Sequence, residues 1–382
     1  MALAPELTDL RIEDLRRRRS AKWSLYPPDV LPSWVAEMDF PLAPPITEAL
    51  RAAIDGDDVG YANAAGSNIA NAFAGFAQRR MGWSVDPEQV IACMDVVGGL
   101  RDLLRAMLDP GAGVVITPPV YHPFFSLVPE AGCSLVEVPL LEGRDLDLDG
   151  IAAAFAAGAR AMLLCNPHNP TGVVVSREEL ERLAEIAAEY DGWILSDEIH
   201  APLALPGSEH VPFLGVNEQA AARGVALVSA SKAFNLAGLG CALIVTGGDP
   251  ARAAVDPLPL SARHPGHLGV IAAEAAYDAG DEWLDSLIEV LDENRHSIAE
   301  QLLRELPEVA YSQPMAGYLA WLDLTQLELG ADPAPRILEQ GRLALSPGPQ
   351  FGRGGEGHVR LNLGTSPALV SEAIDRIVKA VR

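Results

Sequence analysis

Three short apolar runs, each ending abruptly in a polar motif, constrain this chain more than any other feature. They are Ala161-Met162-Leu163-Leu164-Cys165, Trp193-Ile194-Leu195 and Val225-Ala226-Leu227-Val228. Unbroken runs of this length suit parallel strands, which are buried on both faces and need not alternate. They are followed by Asn166-Pro167-His168-Asn169-Pro170-Thr171-Gly172, by Ser196-Asp197-Glu198-Ile199-His200, and by Ser229-Ala230-Ser231-Lys232-Ala233-Phe234-Asn235. An amide, a carboxylate and an amine thus leave the carboxyl ends of successive strands, the edge at which open α/β sheets hold ligands.

The surrounding pattern agrees. Val114-Val115-Ile116, Leu135-Val136-Glu137-Val138 and Ala242-Leu243-Ile244-Val245 read as further strands. Residues 177–190 read as a helix, because Ser176 followed by Glu179 forms a capping box. Strands alternating with helices over residues 47–262 predict an α/β domain with a mainly parallel sheet. From about residue 263 long helical patterns dominate, including 282–306 behind Asp281 as its expected cap. A short sheet (Tyr318-Leu319-Ala320-Trp321-Leu322 and Val359-Arg360-Leu361-Asn362) and a last helix opened by Ser366-Pro367 follow. The division expected is an N-terminal arm (1–46) packing with a small α+β C-terminal domain (263–382), around a large domain (47–262).

A net charge of −24 opposes binding to nucleic acid or other polyanions, and the basic run Arg16-Arg17-Arg18-Arg19 reads as a solvated helix face. No apolar stretch is long enough to span a bilayer. The first residues lack the basic-then-apolar pattern of a secretory signal, so a cytoplasmic location is expected. Cys93, Cys133, Cys165 and Cys241 lack a paired metal spacing and read as reduced core thiols. No metal is expected.

Pyridoxal 5'-phosphate would use the three polar motifs together, since it needs an amine to condense with its aldehyde and a carboxylate to pair with its pyridine nitrogen. The order and spacing resemble the fold-type I pyridoxal-phosphate enzymes, the aminotransferase class I/II superfamily. Lys22-Trp23, Trp34-Val35-Ala36-Glu37-Met38-Asp39-Phe40, Pro119-Val120-Tyr121-His122-Pro123-Phe124, Ser231-Lys232-Ala233-Phe234-Asn235-Leu236-Ala237-Gly238-Leu239 and Gly355-Glu356-Gly357-His358-Val359-Arg360-Leu361-Asn362 narrow it. Those runs are similar to the MalY/PatB-type carbon–sulfur β-lyases, also called cystathionine β-lyases. The resemblance implies a large domain with a seven-stranded sheet and an active site between the two domains.

It also implies roles. Lys232 would be the covalent anchor and the base at the substrate Cα, which requires a neutral amine and hence a lowered pKa. Lysine is scarce in this chain, and one directly behind a buried strand is unusual for a surface residue. Asp197 would hold the pyridine nitrogen protonated, or else cap a helix. Asn169 would donate to the cofactor's phenolic oxygen, or only shape a turn; the family usually has a cis Asn169–Pro170 bond. His200 would support the ring, with packing as the alternative. Tyr121 would stack on the ring rather than fill the core. Ser229, Ser231 and the amides of Val97, Gly98 and Gly99, at the start of a helix after Asp95, would hold the phosphate. Tyr61 would reach the phosphate of a neighbouring subunit, making the active unit a homodimer. Arg360 would grip the substrate carboxylate, or be a strand-edge charge. The glycine-rich stretch 352–357 reads as a mobile loop beside it.

Some positions depart from the family pattern. Many aminotransferases carry an arginine eight residues after the lysine, where this chain has Gly240. The β-lyase branch tends to lack that arginine too. Glu37 replaces a frequent aspartate, Pro202 interrupts a usually acidic stretch, and residues 263–267 look unusual where the substrate could border them. The resemblance implies elimination of a thiol from cystathionine or another S-substituted cysteine, giving pyruvate and ammonia. Tyr121 or Lys232 would protonate the leaving thiolate. An aminotransferase is the first alternative, and a regulatory partner-binding protein on the same fold is the second. A metal hydrolase using Asp197, His200 and His210 lacks supporting ligand spacing.

Overall fold

The computed structural model of the 382-residue chain describes residues 4–382, so Met1, Ala2 and Leu3 of the expected arm lie outside the described residues. Seven strands form the principal sheet: β1 (Val90–Cys93), β2 (Gly113–Ile116), β3 (Ser134–Glu137), β4 (Ala159–Cys165), β5 (Trp193–Asp197), β6 (Gly224–Val228) and β7 (Ala242–Thr246). Their spatial order is β1-β7-β6-β5-β4-β2-β3. All neighbours pair in parallel except those of β7, which runs antiparallel to both β6 and β1. Every residue of β6 and β7 is buried, as strands covered on both faces require.

The three motif-bearing strands are immediate neighbours in register, Cys165 beside Asp197 and Asp197 beside Leu227. Their carboxyl ends therefore open at one edge. Because β1 is parallel to β6, its carboxyl end opens there too, and the reversed β7 starts there. Parallel β2 also ends there, ahead of Tyr121 and His122, so loops from six strands meet at this edge and gather the site.

Local signals explain the helices. Helix α1 (Val96–Met107) follows β1, with Asp95 as its cap accepting from the Gly98 amide at 2.7 Å. In α2 (Arg177–Glu189) both bonds of the expected capping box are present: Glu179 N to Ser176 Oγ at 3.2 Å and Ser176 N to Glu179 Oε2 at 3.0 Å. Helix α3 (Asp281–Glu305) corrects the expectation for Asp281. Gly280 occupies the cap position without a side-chain bond, and Asp281 is a first-turn residue whose Oδ2 accepts from Arg79 Nε at 3.0 Å. Its negative charge still suits the helix N-terminus. The last helix, α4 (Pro367–Val381), opens on proline as its sequence predicts.

A second, antiparallel sheet holds β8 (Ala310–Tyr311), β9 (Leu319–Asp323), β10 (Ser346–Pro347) and β11 (His358–Asn362) in the order β10-β11-β9-β8. Leu31–Pro32 of the N-terminal arm pairs in parallel with Leu343–Ala344. The stretch 352–357, expected to be loose, is fastened. Gly355 N donates to Gly352 O at 3.0 Å and Gly357 N to Ala331 O at 2.8 Å.

Candidate active site

A cavity of about 280 Å³ lies at the carboxyl edge of the principal sheet. Lys232, Asp197, Asn169, Tyr121, His200, Ser229, Ser231, Val97 and Arg360 all line it, so residues spread over most of the chain converge. Gly98, Gly99 and Tyr61 do not. The Gly98 amide is taken by the Asp95 side chain and the Gly99 amide bonds Asp95 O at 2.9 Å. Gly99 packs inward, where a Cβ would come within 2.9 Å of Leu227 and 3.3 Å of Cys93 Sγ. Of the expected amide cradle, only Val97 faces the cavity, joined by Val96, which sequence reasoning passed over. Tyr61 is 97% exposed.

The lysine sits on a one-turn helix, Ala230–Ala233, capped by Ser229, whose hydroxyl accepts from Ser231 N at 3.0 Å and donates to Cys241 O at 2.6 Å. Lys232 Nζ donates to Ala36 O at 3.0 Å. Burial, assisted by the Arg360 charge, pushes its pKa below the ordinary lysine value, against the opposing pull of Asp197 and Glu37. That direction favours the neutral amine a nucleophile and base must be.

Asp197 is buried, and among the described residues Ile199 N, at 3.2 Å, is the one hydrogen-bond donor to its carboxylate. Desolvation raises its carboxyl to about pKa 7, only partly offset by that bond and by Lys232. A buried carboxylate so poorly satisfied calls for a protonated base against it. His200, beside it in the cavity, is driven down to about 3 by burial and by the Lys232 and Arg360 charges, so its imidazole is neutral. Its Nδ1 has no partner among the described residues. Burial drives the Tyr121 phenol up to about 12. His210, by contrast, turns away and pairs with the buried Glu198 at 3.1 Å, so it does not join Asp197 and His200.

Arg360 lies on β11 between Trp321 and Ser346 of the neighbouring strands. Its Nη1 donates to Asn169 Oδ1 at 2.9 Å, and Nη2 donates to Trp34 O at 3.0 Å and Ser346 Oγ at 3.1 Å. The guanidinium also stands 4.9 Å from the Phe351 ring centroid. Among the described residues its buried Nε has no partner, and the side chain pairs with no carboxylate. Desolvation lowers its pKa to about 10. A buried cation with polar neighbours and no counter-charge is built for an incoming anion. Asn169 gives its oxygen to this arginine, which leaves its Nδ2 hydrogens for an acceptor in the cavity. The Asn169–Pro170 bond is cis, as expected.

Of the positions that depart from the family pattern, Gly240 lines the cavity. Gly240 has φ +67°, a conformation that strains any other residue, and a Cβ there would come within 2.4 Å of Met94 Sδ, so an arginine at this position would require the Met94 side chain to shift. Residues 263–267 do not line the cavity: Arg263 donates to Asp256 O at 3.1 Å and His267 pairs with Asp58 at 2.9 Å. Val35, Ala36, Met94 and His122 add to the lining. Among the described residues no cluster of His, Cys, Asp and Glu could hold a metal ion.

The donor set fits pyridoxal 5'-phosphate. It offers one desolvated amine, one under-satisfied carboxylate for a ring N–H, an aromatic wall, a free amide and the first-turn residues of α1. Fold and site together define a pyridoxal-phosphate enzyme on a mainly parallel seven-stranded sheet. Residues 36–377 match the family model described as aminotransferase class I and II, and the chain belongs to that family. It is 38% identical to the cystathionine beta-lyase of Corynebacterium glutamicum, over 97% of this chain and 99% of that one. It is 37% identical to the cystathionine beta-lyase PatB of Bacillus subtilis (strain 168), over 92% and 93%. The crystal structure of cystalysin from Treponema denticola, which contains a pyridoxal 5'-phosphate cofactor, superimposes with a TM-score of 0.91 at 28% identity, covering 100% of this chain and 99% of that one.

The carboxyl of Asp197 offers a test without turnover. An acid whose pKa folding raises adds stability that is complete below its unfolded value, near 3.8, and is lost as pH rises through about 7. In cofactor-free protein, wild type should therefore lose thermal stability relative to Asp197→Asn as pH is raised from about 4 to about 8. Parallel Tm curves for the two proteins would contradict the buried, weakly bonded carboxylate.

Proposed function

We propose that this chain is a pyridoxal-phosphate-dependent carbon–sulfur β-lyase that cleaves cystathionine or another S-substituted cysteine to a thiol, pyruvate and ammonia. The observation that carries the reading is the shared cavity of Lys232, Asp197, Asn169 and Arg360, with a buried arginine that no described carboxylate neutralises. The near full-length likeness to two cystathionine beta-lyases supports the reaction class. So does Gly240, a positive-φ glycine at the position where many aminotransferases carry an arginine.

When bound, the cofactor supplies a ring that accepts the electron pair freed at the substrate Cα. The chain's own residues do the rest. Arg360 holds the substrate carboxylate through the paired N–H···O bonds its planar fork favours, and so orients the Cα–H bond toward Lys232. Lys232, neutral and desolvated, takes the Cα proton. Asp197 keeps the ring nitrogen protonated, and Tyr121 confines the ring face. Ser229, Ser231 and Val97 border the phosphate, with Tyr61 of a second subunit completing it. Its exposure supports that homodimeric arrangement. The β-sulfur leaves as thiolate and takes a proton from Lys232 or Tyr121. Water then completes the balance, giving thiol, pyruvate and ammonium.

The same reading divides the chain into an arm (1–46), a large domain (47–262) and a small domain (263–382), supported by the two sheets and by the pairing of Leu31–Pro32 with Leu343–Ala344. It places the enzyme in the cytoplasm, consistent with four buried, free cysteines. No described helix is long and apolar enough to cross a membrane.

Incubating the holoenzyme with cystathionine and S-alkylcysteines should release pyruvate and thiol in equal amounts with no added oxo acid. Turnover that appears only with an oxo acid acceptor would make the protein an aminotransferase instead.

A further inference from the structure

Segment 34–39 lies across the cavity, and its backbone touches both cations of the site. Lys232 Nζ donates to Ala36 O and Arg360 Nη2 to Trp34 O, each at 3.0 Å. Three side chains hold the segment from the body of the protein. Tyr318 OH donates to Ala36 O at 3.0 Å, and Asn362 Nδ2 donates to Val35 O at 2.7 Å and Glu37 O at 2.6 Å. Asn235, three residues past Lys232, grips Met38 at both its N–H (3.0 Å) and its carbonyl (2.9 Å).

The far end is held by an earlier stretch of the N-terminal arm, residues 18–23. Lys22 Nζ donates to Asp39 Oδ2 at 2.8 Å and Glu37 O at 3.0 Å, Trp23 Nε1 to Asp39 Oδ1 at 2.7 Å, and Arg18 Nη2 to Asp39 O at 2.8 Å. The Lys22 and Asp39 side chains are 1% and 3% exposed, yet neither lines the cavity. A buried ion pair gives little net stability over a well-packed apolar pair, because desolvation offsets the attraction, but it does fix geometry. Here it holds the segment at Glu37 O and Asp39, close in sequence to the Ala36 and Trp34 carbonyls that face Lys232 and Arg360.

We propose that Lys22 and Asp39 are positioning residues. The pair latches residues 18–23 onto segment 34–39, and so sets the plane of the Arg360 guanidinium and the place of the Lys232 amine. The arm thereby governs affinity for the substrate carboxylate. This rests on the roles given above to Arg360 and Lys232.

The test uses full-length protein with a paired replacement, Lys22→Met with Asp39→Leu, which leaves neither member of the pair as an unpaired buried charge. In the holoenzyme, KM for S-ethyl-L-cysteine should rise roughly ten- to a hundred-fold while kcat changes by less than about threefold. In cofactor-free protein, amide hydrogen exchange of peptide 34–40 should quicken while β4, β5 and β6 keep their protection. Asn235→Gly loosens the same segment from its other side. It tolerates the φ of +58° at that position and should give the same KM rise. Unchanged KM and unchanged exchange in a folded paired variant overturn the proposal, and so does exchange quickened across the whole chain. Should the paired variant not fold, Asn235→Gly decides: an unaltered KM and unaltered exchange then refute control through the segment. If wild type releases no pyruvate, the lyase reading fails, while the exchange experiment still decides the latch.

Discussion

Lys232→Ala lowers pyruvate release from S-substituted cysteines by about four orders of magnitude or more, the loss expected when one side chain is both covalent anchor and base. The purified wild-type protein should be yellow. Borohydride should bleach it and leave a stable adduct on a single lysine. Peptide mapping can place that adduct without ambiguity, because the chain has only three lysines. Lys22 is committed to its buried pair with Asp39, and Lys379 is an exposed residue of α4. An adduct on either, or an alanine variant that retains wild-type turnover, would remove Lys232 from the chemistry.

Arg360→Met is expected to cost about 10³-fold in kcat/KM, chiefly through KM. Two charge-assisted hydrogen bonds are lost, each worth roughly 1.5–3 kcal/mol. The guanidinium pairs with no carboxylate among the described residues, so its removal leaves no buried anion stranded. The change in Tm should accordingly be small beside the change in affinity. Arg360→Lys keeps the charge but not the planar fork, and should recover only part of the loss. Equal KM values for the Arg360→Met variant and the wild-type enzyme, measured on the same sulfur amino acids, would show that another group receives the carboxylate.

The strand-end motifs are legible in the sequence because each obeys a local rule. An apolar run of strand length followed by a turn-forming, chemically capable motif can be seen in one dimension, as for Asn169, Asp197 and Lys232. The capping box at Ser176 and the proline opening α4 are legible for the same reason. Asp281 is not the cap that its place before a helical pattern suggests, because the sequence does not show that Gly280 alone separates two helices. The small size of Gly98 and Gly99 suggests open backbone ready for a phosphate. In the fold, one amide is spent on the Asp95 cap and the other glycine faces the sheet.

By itself, the order of residues determined the class of fold and the chemistry available at the strand ends. Those follow from local periodicity and from which side chains can carry a proton or a charge. The family came from the resemblance of its motif runs. Tertiary structure alone decided which groups meet, because contacts such as Arg360 with Asn169, or Ala36 with Lys232, span 191 and 196 positions and obey no local pattern. It also decided their state. Burial is a property of the packed chain, and it is burial that lifts the Asp197 carboxyl, lowers the Lys232 amine and strips the Arg360 guanidinium of solvent.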